Sequence, residues 1–136
     1  MTNEHSRKCV EDIMIKDVVT ISPLATLREA MMKMRQHTVK SLVVEKRHES
    51  DAWGILTYTT VLRTIIQEDG DVDLVNVYDI ATKPVMCVPR QLEVRHAVNM
   101  MINFNIKRLI VSSNNELEGI LTMNDIVGAI LEKLED

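Results

Sequence analysis

The 136-residue sequence predicts an α/β (α+β) fold made of two copies of one β-α-β-β-α unit. The expected result is two small sheets flanked by helices and related by an approximate two-fold axis. Three observations carry this reading. The chain aligns on itself, and at an offset of 67 residues Asp12/Asp79, Ile13/Ile80, Lys16/Lys83, Val18/Val85, Arg28/Arg95, Ala30/Ala97, Met34/Met101, Lys40/Lys107, Leu42/Leu109 and Val44/Val111 coincide. The offset then drops to 65, after which Gly54-Ile55-Leu56-Thr57 matches Gly119-Ile120-Leu121-Thr122 residue for residue. Finally, both copies pass through the same succession of apolar patterns. The single length change falls in a turn, where Lys46–Ala52 is two residues longer than Ser112–Glu116.

Each copy opens with a short extended segment, Val18–Ile21 or Val85–Val88, followed by a turn holding Pro23 or Pro89. An amphipathic helix comes next, with Leu27, Ala30, Met31 and Met34 at helical spacing in the first copy and Val94, Ala97, Val98 and Met101 in the second. Thr26-Leu27-Arg28-Glu29 has the form of a capping box at the start of the first of these helices. Two strands follow, Ser41–Glu45 and Trp53–Thr57 in one copy, Arg108–Ser112 and Leu117–Thr122 in the other. The runs Leu42-Val43-Val44 and Leu109-Ile110-Val111 lack alternation, as strands buried on both faces do. A last helix closes each copy, over Thr59–Gln67 and Asn124–Leu134. The domain plan is a flexible segment 1–9, repeat 1 over 10–66, an acidic connector 67–76 and repeat 2 over 77–134.

Composition excludes several function classes. Apolar residues make up 46% and charged residues 26%, which is a globular balance. With one Trp, two Tyr and one Phe, the core must be built from aliphatic side chains and from the nine methionines. A net charge of −4 without a concentrated basic face argues against nucleic acid. No apolar run approaches a membrane span and no secretory leader is evident, so a cytoplasmic protein is expected. Cys9 and Cys87 fit no metal or redox spacing, and His5, His37, His48 and His96 fit no ligand spacing. No nucleophile–base pair can be assembled from the motifs, so no catalytic residue is expected.

The ordered set of extended segment, proline turn, amphipathic helix, strand and "Gly-h-h-Thr-x-x-Asp", present twice, resembles a pair of cystathionine-β-synthase (CBS) domains, the Bateman module. The resemblance spans roughly residues 8–134. Its most specific stretch is Lys107-Arg108-Leu109-Ile110-Val111 with Gly119-Ile120-Leu121-Thr122-Met123-Asn124-Asp125-Ile126. It implies a stand-alone regulatory module that binds an adenosine-containing nucleotide (AMP, ADP or ATP) in clefts between the copies and needs no other cofactor. It further implies a homodimer that signals to a regulated partner protein. S-adenosylmethionine or NAD as ligand, a ligand-free scaffold and nucleic-acid binding are the alternatives.

The chemistry of such a site points to particular residues. One carboxylate can accept both hydroxyls of a ribose, which assigns that role to Asp125. It lies where a strand gives way to a helix whose first N–H groups suit phosphate. Thr122 and Asn124 add polar contacts, and Lys107 or Arg108 can neutralise a phosphate. Cys87, Val88 and Pro89, with Ile106, offer an apolar wall for adenine. The same Thr-x-x-Asp pattern also suits plain helix capping, and the two roles are compatible. The first copy departs from the pattern, with Thr60 in place of Asp125 and Ser41 in place of Arg108. Thr20, Ile21, Lys40, Ser41, Thr57 and Thr60 therefore form a weaker second site.

Overall fold

Two three-stranded mixed sheets, one per repeat, carry the fold of a computed structural model that describes residues 7–135. The first contains β1 (Thr20–Ile21), β2 (Ser41–Val44) and β3 (Gly54–Thr57) in that order, with β1 parallel and β3 antiparallel to β2. The second repeats this arrangement with β4 (Cys87–Val88), β5 (Arg108–Ser113) and β6 (Glu116–Thr122). The opening strands are shorter than the extended segments expected from sequence, pairing over two residues each. The helices are α1 (Leu27–His37), α2 (Tyr58–Leu62), α3 (Val77–Ile80), α4 (Val94–Asn103) and α5 (Met123–Glu135).

Pleating sorts each strand into two faces. Ile21, Leu42, Val44 and Leu56 point to the helix side, where they join Leu27, Ala30 and Met34 in one core. Val88, Leu109, Val111 and Leu121 do the same with Val94, Ala97, Met101 and Ile126 in the other. Each fully buried aliphatic side chain contributes about 1.5–3 kcal/mol. Val43, Ile55, Ile110 and Ile120 point to the opposite sheet faces and are buried as well. That double burial is why the strands read as unbroken apolar runs.

The chain forms two compact units whose borders differ from the sequence repeats. One holds the chain up to Val18 and from Met86 onward, the other Val19–Val85. The exchange is made by a leading turn in each copy, a 3-10 turn at Val10–Asp12 in the first and α3 in the second. Val10 is buried in the core beneath the second repeat's sheet, and Val77 in the core beneath the first repeat's. The duplicated Asp12 and Asp79 start these turns, accepting the Cys9 N–H at 2.9 Å and the Asn76 N–H at 3.3 Å. Each leading segment then bonds the outer edge of a final strand. Ile15 and Ile120 exchange backbone bonds of 2.9 and 3.0 Å, and Thr82 and Ile55 exchange two of 2.9 Å. Lys8 and Cys9, at the end of the segment expected to be flexible, are tied down: the Lys8 carbonyl accepts from Val94 N at 2.7 Å, and Cys9 bridges Glu93. The rest of that segment, residues 1–6, lies outside the described residues.

Two further local features depart from expectation. The helix expected over Thr59–Gln67 is α2 followed by a π-turn at Arg63–Gln67. This stretch is dense in β-branched residues, which lose rotamer freedom in a helix. The Thr64 hydroxyl also bonds back to the Thr60 carbonyl at 2.9 Å, an arrangement that bends helices. The acidic connector is stitched to the start of α1. The first N–H groups of α1 have no partner within the helix, and those of Leu27 and Arg28 donate to the Val75 and Val72 carbonyls. Arg28 grips Asp73 with two bonds of 2.6 and 3.0 Å. Thr26 caps α1 as expected, accepting from Glu29 N at 3.2 Å.

Candidate functional site

The pleat of the second sheet brings three of the expected site residues onto one face. Arg108 and Thr122 are directly opposite each other on β5 and β6, so their side chains are neighbours. Cys87 is register partner to Ile110, two residues along from Arg108, and projects to the same side, where it is exposed. Thr122 ends β6 and α5 begins immediately after it. Its hydroxyl donates to Asp125 Oδ2 at 2.6 Å, and Asp125 N donates back to Thr122 Oγ1 at 3.0 Å. The Thr122 N–H also donates to Oδ2, at 3.3 Å. This is a reciprocal capping box, and all of it engages Oδ2. Arg108 thus stands across the strand pair from Thr122, and the Thr122 hydroxyl and Asp125 carboxylate meet at a helix N-terminus, where the backbone dipole favours anions. The ion pairs among the described residues do not include Arg108.

The remaining expected residues divide. Asn124 is exposed on the first turn of α5, and with Asp125 it lines a groove of about 480 Å³ between α5 and residues 8–13. Pro89 and Lys107 are exposed, and the Lys107 carbonyl accepts the Met123 N–H at 3.0 Å. Ile106 is half-buried and packs against the core, with its N–H on the Met101 carbonyl. Val88 differs from the expectation: being one residue from Cys87, it points to the other face and is 3% exposed within the core. Only its backbone is left to face a ligand.

The first copy places its counterparts on the matching face without the matching chemistry. Thr20, Ser41 and Thr57 lie on that face, while Ile21 turns into the core as Val88 does. Thr57 makes no side-chain cap bond to α2, and Thr60 is buried at 7% exposure. Lys40 lines a different, mainly apolar groove of about 570 Å³ with Met31, Met32 and Tyr58. The positive charge of Arg108 and the negative charge of Asp125 therefore have no equivalents in the first copy.

Sequence reading missed the contribution of the leading segment, which supplies Lys8, Asp12 and Ile13 to the groove beside Asp125. The duplicated pairs Asp12/Asp79, Ile13/Ile80 and Lys16/Lys83 are the signal that marks this segment. His37, His48 and His96 are exposed and His5 lies outside the described residues. Among the described residues no group of three His, Cys, Asp or Glu side chains has metal-binding geometry. Trp53 is half-buried, with the Lys46 ammonium 5.4 Å from its ring centroid. The strongest pairs lie away from the Asp125 turn. Lys83 approaches Asp51 at 2.6 Å and, with the N–H groups of Arg47 and Ala52, holds that carboxyl well below the usual range. Arg28 lowers Asp73 in the same way. No described helix is long and apolar enough to cross a membrane.

Comparison with known proteins agrees with this architecture. The CBS domain matches the chain twice, at residues 10–67 and 77–132. An uncharacterized protein of Methanopyrus kandleri is 35% identical over 119 residues, covering 87% of this chain and 60% of that protein. The inosine-5'-monophosphate dehydrogenase of Methanocaldococcus jannaschii is 34% identical over 121 residues, covering 88% of this chain but 23% of the enzyme. A hexameric CBS-CP12 protein from bloom-forming cyanobacteria superposes with a TM-score of 0.83 at 31% identity, covering 93% of this chain and 74% of that one. The chain thus spans about 60% of the first relative and under a quarter of the second.

Proposed function

The chain belongs to the CBS-domain family as a tandem pair, and from that premise we propose that it is a regulatory module that binds one adenosine-containing nucleotide at the Thr122–Asp125 turn. The observation that carries the proposal is the Thr122–Asp125 pair at the start of α5, with Arg108 directly across the strand pair from Thr122. In this reading Asp125 accepts the ribose hydroxyls and Arg108 with the helix N-terminus takes phosphate. The exposed face around Cys87 and Pro89 adjoins the base. AMP, ADP and ATP are the ligands of first choice.

The module is asymmetric in this reading. Hydrogen bonds to a charged partner contribute on the order of 1.5–3 kcal/mol, a factor of roughly ten to a hundred in affinity. Without Asp125 and Arg108 equivalents, the first copy falls below the second by at least that much. Calorimetric titration of the purified protein with AMP, ADP and ATP tests this directly. One strong site per chain, lost in Asp125→Ala, is expected. Two equal sites, or wild-type affinity in Asp125→Ala, overturn it.

A ligand-free scaffold is the second reading, favoured by the capping bonds that already give Thr122 and Asp125 structural work. Thermal shift separates the two. Ligand at a hundred times Kd adds about 2.7 kcal/mol of stability, whereas a scaffold shows no shift with adenine nucleotides, S-adenosylmethionine or NAD. Self-association to a homodimer belongs to the same proposal. Ile102, Val127, Leu131 and Leu134 on one unit and Met32, Leu62 and Ile66 on the other are more than half exposed, apolar surface that association would cover. A relative of this chain is hexameric, and light scattering reads the mass.

A further inference from the structure

Three of the four glycines are explained by a close neighbour. A Cβ on Gly119 would lie 2.7 Å from the Ile15 carbonyl oxygen, one on Gly70 2.9 Å from Thr64, and one on Gly54 3.2 Å from the Thr82 carbonyl oxygen. Gly128 is different. It lies in the interior of α5 without a positive φ, and a Cβ there would meet nothing within 4 Å among the described residues. Glycine is the poorest helix former after proline, so alanine would hold α5 better. Packing among the described residues gives no reason for its presence.

Its location supplies one. Gly128 follows Asp125 by three residues and so shares its side of the helix. With Asn124, Asp125 and Glu132 it lines the groove of about 480 Å³, and Lys8 and Asp12 stand on the opposite wall. That wall is fixed by the 2.7 Å bond from Val94 N to the Lys8 carbonyl and the 2.9 Å bond from Cys9 N to Asp12. The groove has the size of a small-molecule site, and at Gly128 one of its sides is bare backbone.

Resting on the reading of Asp125 as the ribose acid, we propose that Gly128 is a specificity-determining residue of that site. The ribose edge that carries the hydroxyls held by Asp125 lies along α5 against the backbone at 128, with the phosphate toward the helix N-terminus, and a side chain at 128 takes the place of that edge. The ligand class is an adenosine nucleotide whose sugar edge, rather than its base, runs in this groove. Glycine is kept at a cost to the helix because the contact needs the space.

The test compares wild type, Gly128→Ala, Gly128→Leu and Asp125→Ala as full chains, each melted and titrated with AMP, ADP and ATP. Gly128→Ala is expected to melt about 2–6 °C higher than wild type while binding at least tenfold more weakly. Gly128→Leu, folded by its melt, is expected to lose binding entirely. If both variants keep wild-type affinity while Asp125→Ala loses it, the role of Gly128 is overturned and the site stands. If wild type binds none of the three nucleotides, the site itself fails. A change of oligomeric mass in Gly128→Ala at unchanged affinity assigns the glycine to a contact between copies and overturns the proposal.

Discussion

Thr122 and Asp125 cap one another, hydroxyl to carboxylate at 2.6 Å and backbone N–H to hydroxyl at 3.0 Å. The pair ends β6, starts α5 and fixes the carboxylate through one oxygen. Asp125→Ala is expected to cost about 1 kcal/mol, within the range of roughly 0.5–2 for lost caps, read by urea denaturation. Asp125→Asn retains an acceptor and costs less. Both lower nucleotide affinity, since an amide oxygen cannot hold two ribose hydroxyls as a carboxylate does. If Asp125→Asn loses stability but no affinity, the residue is a cap alone.

The two motif glycines are unequal. A Cβ on Gly119 would press on the Ile15 carbonyl at 2.7 Å and on Met14 Sδ at 2.8 Å, whereas one on Gly54 would stand 3.2 Å from the Thr82 carbonyl. Backbone cannot yield as a side-chain end can. Gly119→Ala is therefore expected to cost about 2–3 kcal/mol, the range of an overpacked core, and Gly54→Ala about 1 kcal/mol or less. Equal denaturation midpoints for the two variants would show that the leading segments are free to shift.

The leading turns hold their units through one valine each. Val10 and Val77 are both fully buried. Val10→Ala and Val77→Ala should each cost about 1–3 kcal/mol of transfer and cavity energy. A Val10→Ala midpoint equal to wild type would contradict its place in the core.

Acid should destabilise the protein through Asp51 and Asp73. Lys83 holds Asp51, and Arg28 holds Asp73, below the ordinary carboxylate range. A carboxyl lowered in the folded state contributes stability that is complete above its unfolded value, about 4, and is lost as pH falls below it. Asp51→Asn should narrow the gap between melting temperatures at pH 7 and pH 3. The Arg28–Asp73 pair is more than half exposed on both sides, so its share should fade in added salt. An unchanged acid slope in Asp51→Asn would remove that pair from the account.

Much of the architecture is legible residue by residue. The offset of 67, the helical spacing of Leu27, Ala30 and Met34, the Thr26 cap and the apolar runs around Val43 and Ile110 all answer to local pattern, because secondary structure follows periodicity. The π-turn after α2 was less legible, since it depends on a hydroxyl finding a carbonyl one turn back. The inward turn of the Val88 and Ile21 side chains is not legible in the sequence, because it depends on the pleat, and one residue of register exchanges core for surface.

Sequence alone determined that this protein is a duplicated β-α-β-β-α unit of the CBS family and that only its second copy carries an acid in the Thr-x-x-Asp turn. Both are matters of residue identity and spacing, which the linear chain holds in full. Tertiary structure alone decided that the leading turns exchange units, that Arg108 stands across from Thr122, and that Gly128 faces a groove walled by Lys8 and Asp12. Those facts join residues far apart in the chain, and their pairing is chosen by the burial of Val10 and Val77 and by backbone bonds at sheet edges, which no local pattern encodes.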